Sequence, residues 1–86
     1  MDLEYDEAKD RLNVIKHKIS LARAADFDPL AIQLDERADY GETRYRSWGL
    51  LDNEAYFLAF TLREGRYRAI SLRRAHRKEW VRYVSE

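Results

Sequence analysis

The second half of the chain is rich in arginine, the side chain best suited to holding phosphate. Residues 44–86 contain 10 basic and 5 acidic residues, whereas residues 1–43 contain 6 basic and 11 acidic residues. Nine of those ten basic residues are arginines, whose planar guanidinium can donate two hydrogen bonds to one phosphate. The bias favours a phosphate-facing surface. The alternative is a solvated basic face that pairs with the acidic half or with a partner.

Two titratable side chains in the first half could move protons at such a surface. His17 is the only histidine before residue 44, and an ordinary pKa of ~6.5 lets it act as an acid or a base near neutral pH. The alternative is a histidine that only interacts with a helix C-terminus. Glu42 could act as a general base, although an acidic residue beside a turn glycine is more often solvated or paired with an arginine such as Arg44.

Arg44, Arg63 and Arg73 are the arginines expected to bind phosphate. Each lies at the end of a predicted strand, where the backbone fixes the guanidinium before a ligand arrives. Arg63 and Arg73 should nevertheless lie roughly 15–20 Å apart, so they cannot hold the same phosphate. Either the two bind different phosphates, or Arg44 joins one of them at a shared phosphate.

Lys9, Lys16 and Arg74 are expected to extend the basic surface. The two lysines are seven residues apart and share one helical face, although exposed helix lysines are most often only solvated. No metal or cofactor site is expected, because His17 and His76 have no third ligand at a recognisable spacing. The glycines stand singly, so a phosphate-binding glycine loop is not expected either.

The length and composition predict one small domain, residues 1–86, in the cytoplasm. A chain of 86 residues is close to the lower limit for a self-sufficient core, and it has no cysteine to reinforce the fold. The lack of cysteine suits a reducing compartment. No apolar run approaches the ~18 residues of a membrane span, and the acidic start Met1-Asp2-Leu3-Glu4 is unlike a signal peptide.

Helical periodicity predicts two helices at the N-terminus. The first is capped by Asp6 and runs to about His17, and the second is capped by Ser20 and ends at Asp28-Pro29. The first helix should bury an apolar stripe formed by Ala8, Leu12 and Ile15.

The period then changes to that of strands. Residues 31–34, 44–50, 55–63 and 67–72 are predicted to be strands, followed by a helix over residues 74–84. Pairing Arg63 with Tyr67 puts the apolar side chains on one face and brings Arg73 opposite Phe57 on the other. The expected fold is therefore α+β, with two N-terminal helices, a roughly four-stranded antiparallel sheet and a C-terminal helix.

A series of residues along nearly the whole chain resembles the BrnT family of toxins. No single element is specific, but their order and spacing together are. The sequence departs from the family pattern at Lys18, where a helix-ending glycine is usual, and at Leu72, where alanine is usual. The matching residues are Tyr5-Asp6, Lys9, Asn13, Lys16-His17, Ile19-Ser20, Phe27-Asp28-Pro29-Leu30, Tyr40-Gly41-Glu42, Arg44, Gly49, Thr61, Arg63, Arg68, Ile70-Ser71 and Arg73-Arg74-Ala75.

The resemblance implies a two-layer fold related to RelE-type ribonucleases and metal-independent cleavage of RNA that inhibits translation. It also implies a BrnA-like antitoxin that neutralises the toxin and through which the pair could bind operator DNA. Such cleavage requires a base for the 2′-hydroxyl proton, an acid for the leaving 5′-oxygen and cations around the phosphorus. His17 or Glu42 would move protons, Arg44, Arg63 and Arg73 would be the cations, and other basic side chains would bind RNA.

Two other functions remain open from the sequence. The chain could be a non-catalytic subunit of a nucleic-acid-binding regulatory complex that binds its partner through an apolar stripe on the last helix, Trp80, Val81 and Val84. Such a subunit would bind its partner, and nucleic acid with it, but would not cleave RNA under any condition. The chain could also be a toxin that has lost activity, in which case replacing Lys18 with glycine should restore cleavage.

Overall fold

A computed structural model describes residues 2–85, in which five strands form one mixed sheet in the order β1-β5-β4-β3-β2. Strands β2 to β5 are sequential antiparallel neighbours, and β1 adds in parallel to the outer edge of β5. The strands are β1 (Leu3–Tyr5), β2 (Asp28–Asp35), β3 (Arg44–Leu51), β4 (Glu54–Arg63) and β5 (Arg66–Arg74).

Three helical segments accompany the sheet in the described part of the chain. Helix α1 (Glu7–His17) and a 3-10 helix (Leu21–Asp26) connect β1 to β2. Helix α2 (Arg77–Trp80) continues as a π-helical segment (Val81–Ser85), and the two together are called the C-terminal helix below. Side chains of Asp6 and Ser20 accept hydrogen bonds from the first turns of α1 and the 3-10 helix, so both predicted N-caps are confirmed.

The predicted fold class, two N-terminal helices with four antiparallel strands and a C-terminal helix, is wrong. The sheet has a fifth strand, β1, which makes it mixed, and the second N-terminal helix is a short 3-10 helix. Strand β1 is only three residues long, which is too short for an alternating pattern to show. Strand β2 begins at Asp28, where the sequence predicted only a helix end, and β5 runs on to Arg74, so the last helix begins at Arg77.

The hairpin between β4 and β5 partly follows the predicted register. Glu64 and Gly65 have φ values of 53° and 76° and form a two-residue turn, so Arg63 pairs with Arg66 and not with Tyr67. Beyond Phe60 the register shifts by one residue, because Ile70 is an extra residue on β5. Phe57 therefore pairs with Arg73, and this prediction is confirmed.

The core lies on one face of the sheet, called the core face, and α1 turns its polar side towards it. Leu12 and Ile15 are 55% and 66% exposed, whereas Asn13 is 5% exposed, so the predicted buried stripe of α1 is wrong. The core face is instead filled by the 3-10 helix and the sheet. Its buried residues are Leu21, Leu51, Leu58, Phe60, Ala69 and Leu72.

The polar side of α1 is buried because it forms hydrogen bonds with the edge of β5. Nδ2 of Asn13 donates to the backbone oxygens of Leu72 at 2.9 Å and Ile19 at 2.8 Å, and its Oδ1 accepts from the Leu72 N–H at 3.1 Å. One turn earlier, Oδ1 of Asp10 accepts from the Leu21 N–H at 2.7 Å. These buried backbone groups would otherwise lack partners.

The end of α1 is closed without the usual glycine. Lys18 adopts the left-handed conformation itself, with φ 62° and ψ 29°, and its N–H donates to the Val14 oxygen at 2.9 Å. Its Nζ also donates to the Ile15 oxygen at 3.1 Å. The turn that follows His17 therefore forms with lysine at this position.

Replacing Asn13 with alanine should lower the free energy of unfolding by about 3 kcal/mol, because both backbone groups of Leu72 lose their partner in a buried position. Urea unfolding followed by far-UV circular dichroism measures the change. Arg11→Ala, at an exposed position of the same helix, is the control and should change stability by less than about 0.5 kcal/mol. Equal stability of the two variants would contradict this role of Asn13.

Candidate active site

The face of the sheet opposite the core carries six arginines and is called the arginine face below. Alternation along the paired strands places Arg44 and Arg46 of β3, Arg63 of β4, and Arg66, Arg68 and Arg73 of β5 on this side. Short side chains separate the arginines, at Ala59, Thr61 and Ser71. The surface therefore has guanidinium groups fixed by strands with open space between them.

One end of the arginine face holds two of the predicted phosphate ligands around one carboxylate. Nε of Arg44 donates to Oε2 of Glu42 at 3.0 Å, and Nη2 of Arg63 lies 3.9 Å from Oε1 of the same residue. The Arg44 guanidinium also lies 4.2 Å from the centre of the Tyr40 ring. The structure thus brings Arg44 and Arg63 together and pairs Glu42 with both of them.

Arg73 lies at the other end of the arginine face. Its guanidinium is 4.1 Å from the centre of the Phe57 ring, and Nη1 and Nη2 donate to the Glu79 carboxylate at 2.7 and 3.4 Å. Phe57 and Arg63 are six residues apart on β4, which is about 20 Å. Arg63 and Arg73 therefore cannot bind the same phosphate, as the sequence indicated.

His17 is positioned beside Arg73 by the hydrogen bonds of Asn13. Asn13 lies one turn before His17 in α1 and is bonded to Leu72, which immediately precedes Arg73. Burial, the positive charge of Arg73 and that of Lys16 each lower the pKa of His17 from its ordinary 6.5. The neutral imidazole, which can accept a proton, is therefore favoured at neutral pH.

Glu79 is held as a carboxylate by its neighbours. Burial raises the pKa of Glu79, but the hydrogen bonds from Arg73 and the His76 backbone N–H, together with the charge of Arg73, lower it further than burial raises it. The ionised side chain thus links the C-terminal helix to β5. It occupies the donors of Arg73 that a phosphate oxygen would use.

Three other predicted residues lie away from this face. Arg74 points to the core face, where it contacts Glu54 at 2.6 Å and lies 5.3 Å from the centre of the Tyr56 ring. Lys9 and Lys16 are exposed on α1, and of the two, Lys16 is close enough to His17 to lower its pKa. The structure therefore groups Lys16, but not Arg74, with His17 and Arg73.

The sequence analysis missed the residues by which the C-terminal helix contacts the arginine face. Tyr83 stacks on the buried Trp48 with ring centres 4.1 Å apart, and Glu79 pairs with Arg73. The predicted stripe on this helix consisted of Trp80, Val81 and Val84. Glu79 and Tyr83 are four residues apart and so share a helical face. This spacing could have indicated a second contact face on the helix, but the prediction considered only the apolar residues.

Residues 2–85 contain no group of three histidine, cysteine, aspartate or glutamate side chains that could hold a metal ion. In the same range, no helix is long and apolar enough to cross a membrane.

Comparison with protein families gives one match over most of the chain. The model of the family described as "Ribonuclease toxin, BrnT, of type II toxin-antitoxin system" matches residues 5–79. The matched range includes both ends of the arginine face together with His17 and Glu79. A search of curated proteins found no match.

Replacing Arg73 with alanine should raise the pKa of His17, because removing a nearby positive charge makes the imidazolium less unfavourable. Titration of the imidazole signals by NMR measures this change, and His76→Asn identifies the second histidine. Arg74→Ala is the matched control and should leave the His17 titration unchanged, since Arg74 lies on the other face. A His17 pKa that is the same in the native chain and in Arg73→Ala would contradict the described arrangement.

Proposed function

Because the chain belongs to the BrnT family of ribonuclease toxins of type II toxin–antitoxin systems, we propose that it is a metal-independent endoribonuclease neutralised by a BrnA-like antitoxin. It acts on RNA in the cytoplasm and thereby inhibits translation. The observation that carries the proposal is the family match over residues 5–79. It is supported by His17, on the side of α1 that Asn13 holds against β5, near the strand-fixed Arg73. These two groups provide a base and a phosphate ligand without a metal ion.

His17 is the proposed general base. Its neutral imidazole takes the proton of a 2′-hydroxyl, the 2′-oxygen attacks the adjacent phosphorus, and the bond to the 5′-oxygen breaks. The leaving oxygen takes a proton from water, so the products are a 2′,3′-cyclic phosphate and a 5′-hydroxyl. Arg73 stabilises the additional negative charge on the phosphate oxygens in the transition state. Lys16 adds positive charge next to His17.

Arg44 and Arg63 are proposed to bind the phosphate of a flanking nucleotide. Along the strand direction Arg63 lies about 20 Å and Arg44 about 13 Å from Arg73, which is too far for the scissile phosphate but within reach of the same RNA strand. Glu42 holds both guanidiniums in place until RNA arrives. Its use in these ion pairs makes Glu42 a weaker candidate for the base than His17.

Arg73→Ala should reduce the rate of RNA cleavage about 100-fold, the usual cost of removing one donor to the transition-state oxyanion. The assay follows labelled single-stranded RNA incubated in EDTA with the purified chain, separated from any co-purified antitoxin. Arg23→Ala is the control, because it removes one positive charge from the 3-10 helix, where Arg23 contacts Asp52. It should cleave at the native rate.

The possible outcomes separate the proposed activities. Cleavage by the native chain in EDTA, reduced in Arg73→Ala and unchanged in Arg23→Ala, supports the proposal. Cleavage only after addition of a divalent metal ion contradicts metal independence. Binding of RNA or antitoxin without cleavage under any condition favours the non-catalytic subunit, and cleavage only in the presence of ribosomes indicates a ribosome-dependent toxin.

The outer side of α1 is the proposed docking surface for the antitoxin. Ala8, Leu12 and Ile15 form an apolar stripe that faces away from the sheet, and Leu12 and Ile15 are more than half exposed. Basic residues flank this stripe on the helical wheel, at Lys9, Arg11 and Lys16. The surface therefore fits an amphipathic antitoxin segment with acidic residues beside its apolar ones.

Leu12→Glu should weaken binding of the antitoxin by more than tenfold while leaving RNA cleavage unchanged, because it places a charge in the centre of the stripe. Leu30→Glu is a matched control on strand β2, since Leu30 is 53% exposed and Leu12 is 55% exposed. Titration calorimetry with the antitoxin and the EDTA cleavage assay provide the two readouts. Weaker binding in Leu30→Glu alone would move the interface to β2.

A further inference from the structure

A basic cleft lies between the arginine face and the C-terminal helix, outside the site proposed above for catalysis. It has a volume of about 480 Å³. Among residues 2–85, Glu79 is the one acidic residue that lines the cleft, and its carboxylate is already bonded to Arg73. The cleft therefore presents uncompensated positive charge. Its lining residues are Arg46, His76, Arg77, Lys78, Glu79, Arg82 and Tyr83.

Arg46, at the base of this cleft, lacks the acceptor that its neighbours have. Four of the other five arginines of the arginine face each contact a carboxylate, Arg44 and Arg63 through Glu42, Arg68 through Glu4 and Arg73 through Glu79. The fifth, Arg66, is exposed beside the turn between β4 and β5. Nε of Arg46 is buried and donates no hydrogen bond to any atom of residues 2–85. Because this Nε is not accessible, an anion in the cleft would bind the rest of the guanidinium, which lines the cleft and pairs with no carboxylate of residues 2–85.

Aromatic rings keep the Arg46 guanidinium in place. It lies 5.5 Å from the centre of the Trp48 ring and 5.7 Å from that of Tyr83, and the two rings are stacked on each other. Trp48 is fully buried, so this support is rigid. Because the guanidinium is ordered before a ligand arrives, little side-chain entropy is lost on binding.

We propose that Arg46 and the cleft around it bind a phosphate of the RNA backbone that is not cleaved. Arg44 and Arg46 are alternate residues of β3, so they lie about 7 Å apart on the same face and can contact neighbouring phosphates. The cleft is lined mainly by arginine and lysine, and Tyr83 is its one aromatic residue within residues 2–85. Such a lining suits the phosphates of an RNA backbone and does not select a particular base. The inference rests on the proposed ribonuclease function, because that function supplies the RNA.

The test measures binding of a 2′-O-methyl oligonucleotide, which lacks the attacking hydroxyl and cannot be cleaved. Fluorescence anisotropy over a series of salt concentrations gives the Kd and its salt dependence for the native chain, Arg46→Ala and Arg23→Ala. Arg46→Ala should raise the Kd about tenfold and reduce the slope of log K against log salt by about 0.7, the value for one phosphate of a single strand. Arg23→Ala should match the native chain.

A second variant protects the test against a folding defect in Arg46→Ala. Lys78→Ala combined with Arg82→Ala changes only exposed side chains at the rim of the cleft, and it should also weaken binding and lower the salt slope. Unchanged Kd and slope in both variants would overturn the inference, as would a native chain that binds no oligonucleotide at low salt. Loss of antitoxin binding alone in Arg46→Ala would assign the cleft to an acidic side chain instead.

The proposed function and this inference fail in different ways. If the native chain binds the oligonucleotide through Arg46 but leaves unmodified RNA intact, the phosphate site stands and the ribonuclease proposal falls. If the native chain cleaves RNA and Arg46→Ala binds and cleaves equally well, the ribonuclease proposal stands and the phosphate site falls.

Discussion

Within residues 2–85, no strand pairs with the outer edge of β5 beyond Ala69, and the side-chain amide of Asn13 forms the hydrogen bonds there. It donates to and accepts from the backbone of Leu72, as a neighbouring strand would, and also holds the oxygen of Ile19. Because a buried strand edge needs these partners, α1 must turn its polar side inward. The same rotation leaves the apolar side of α1 exposed and puts His17, one turn later, beside Arg73. The hydrogen bonds of the Asn13 amide therefore determine both the position of His17 near Arg73 and the exposure of the apolar stripe.

Carboxylates of the chain pair with most of the guanidiniums of the arginine face. Glu4, Glu42 and Glu79 come from three different segments, and each lies within ion-pair distance of one or two arginines fixed by strands. Partly exposed ion pairs of this kind contribute little net stability, so a phosphate can replace a carboxylate at small cost. The pair between Arg73 and Glu79 has a further consequence, since it ties the C-terminal helix to the strand end where the scissile phosphate is proposed to bind.

Local rules predicted the local features of this molecule. The caps at Asp6 and Ser20, the opposition of Phe57 and Arg73, and the wide separation of Arg63 from Arg73 follow from side-chain chemistry and strand geometry alone. The features that the sequence did not predict depend on contacts between segments that are distant along the chain. Strand β1 is defined by pairing with residues more than sixty positions away, and the orientation of α1 is decided by Leu72, 59 residues from Asn13. The contribution of Glu79 could not be recognised before Arg73 was known to face it.

The proposed neutralisation and the proposed catalysis meet on helix α1. The apolar stripe and His17 lie on different sides of a helix of 11 residues, and Lys16 adjoins both. An antitoxin segment on the stripe would therefore compete with RNA for the basic residues at the end of α1 without entering the arginine face. Two ligands that exclude each other in this way must weaken each other's binding by the same factor. Tight RNA binding through Arg44, Arg46 and Arg73 would then favour release of the antitoxin as strongly as the antitoxin opposes RNA.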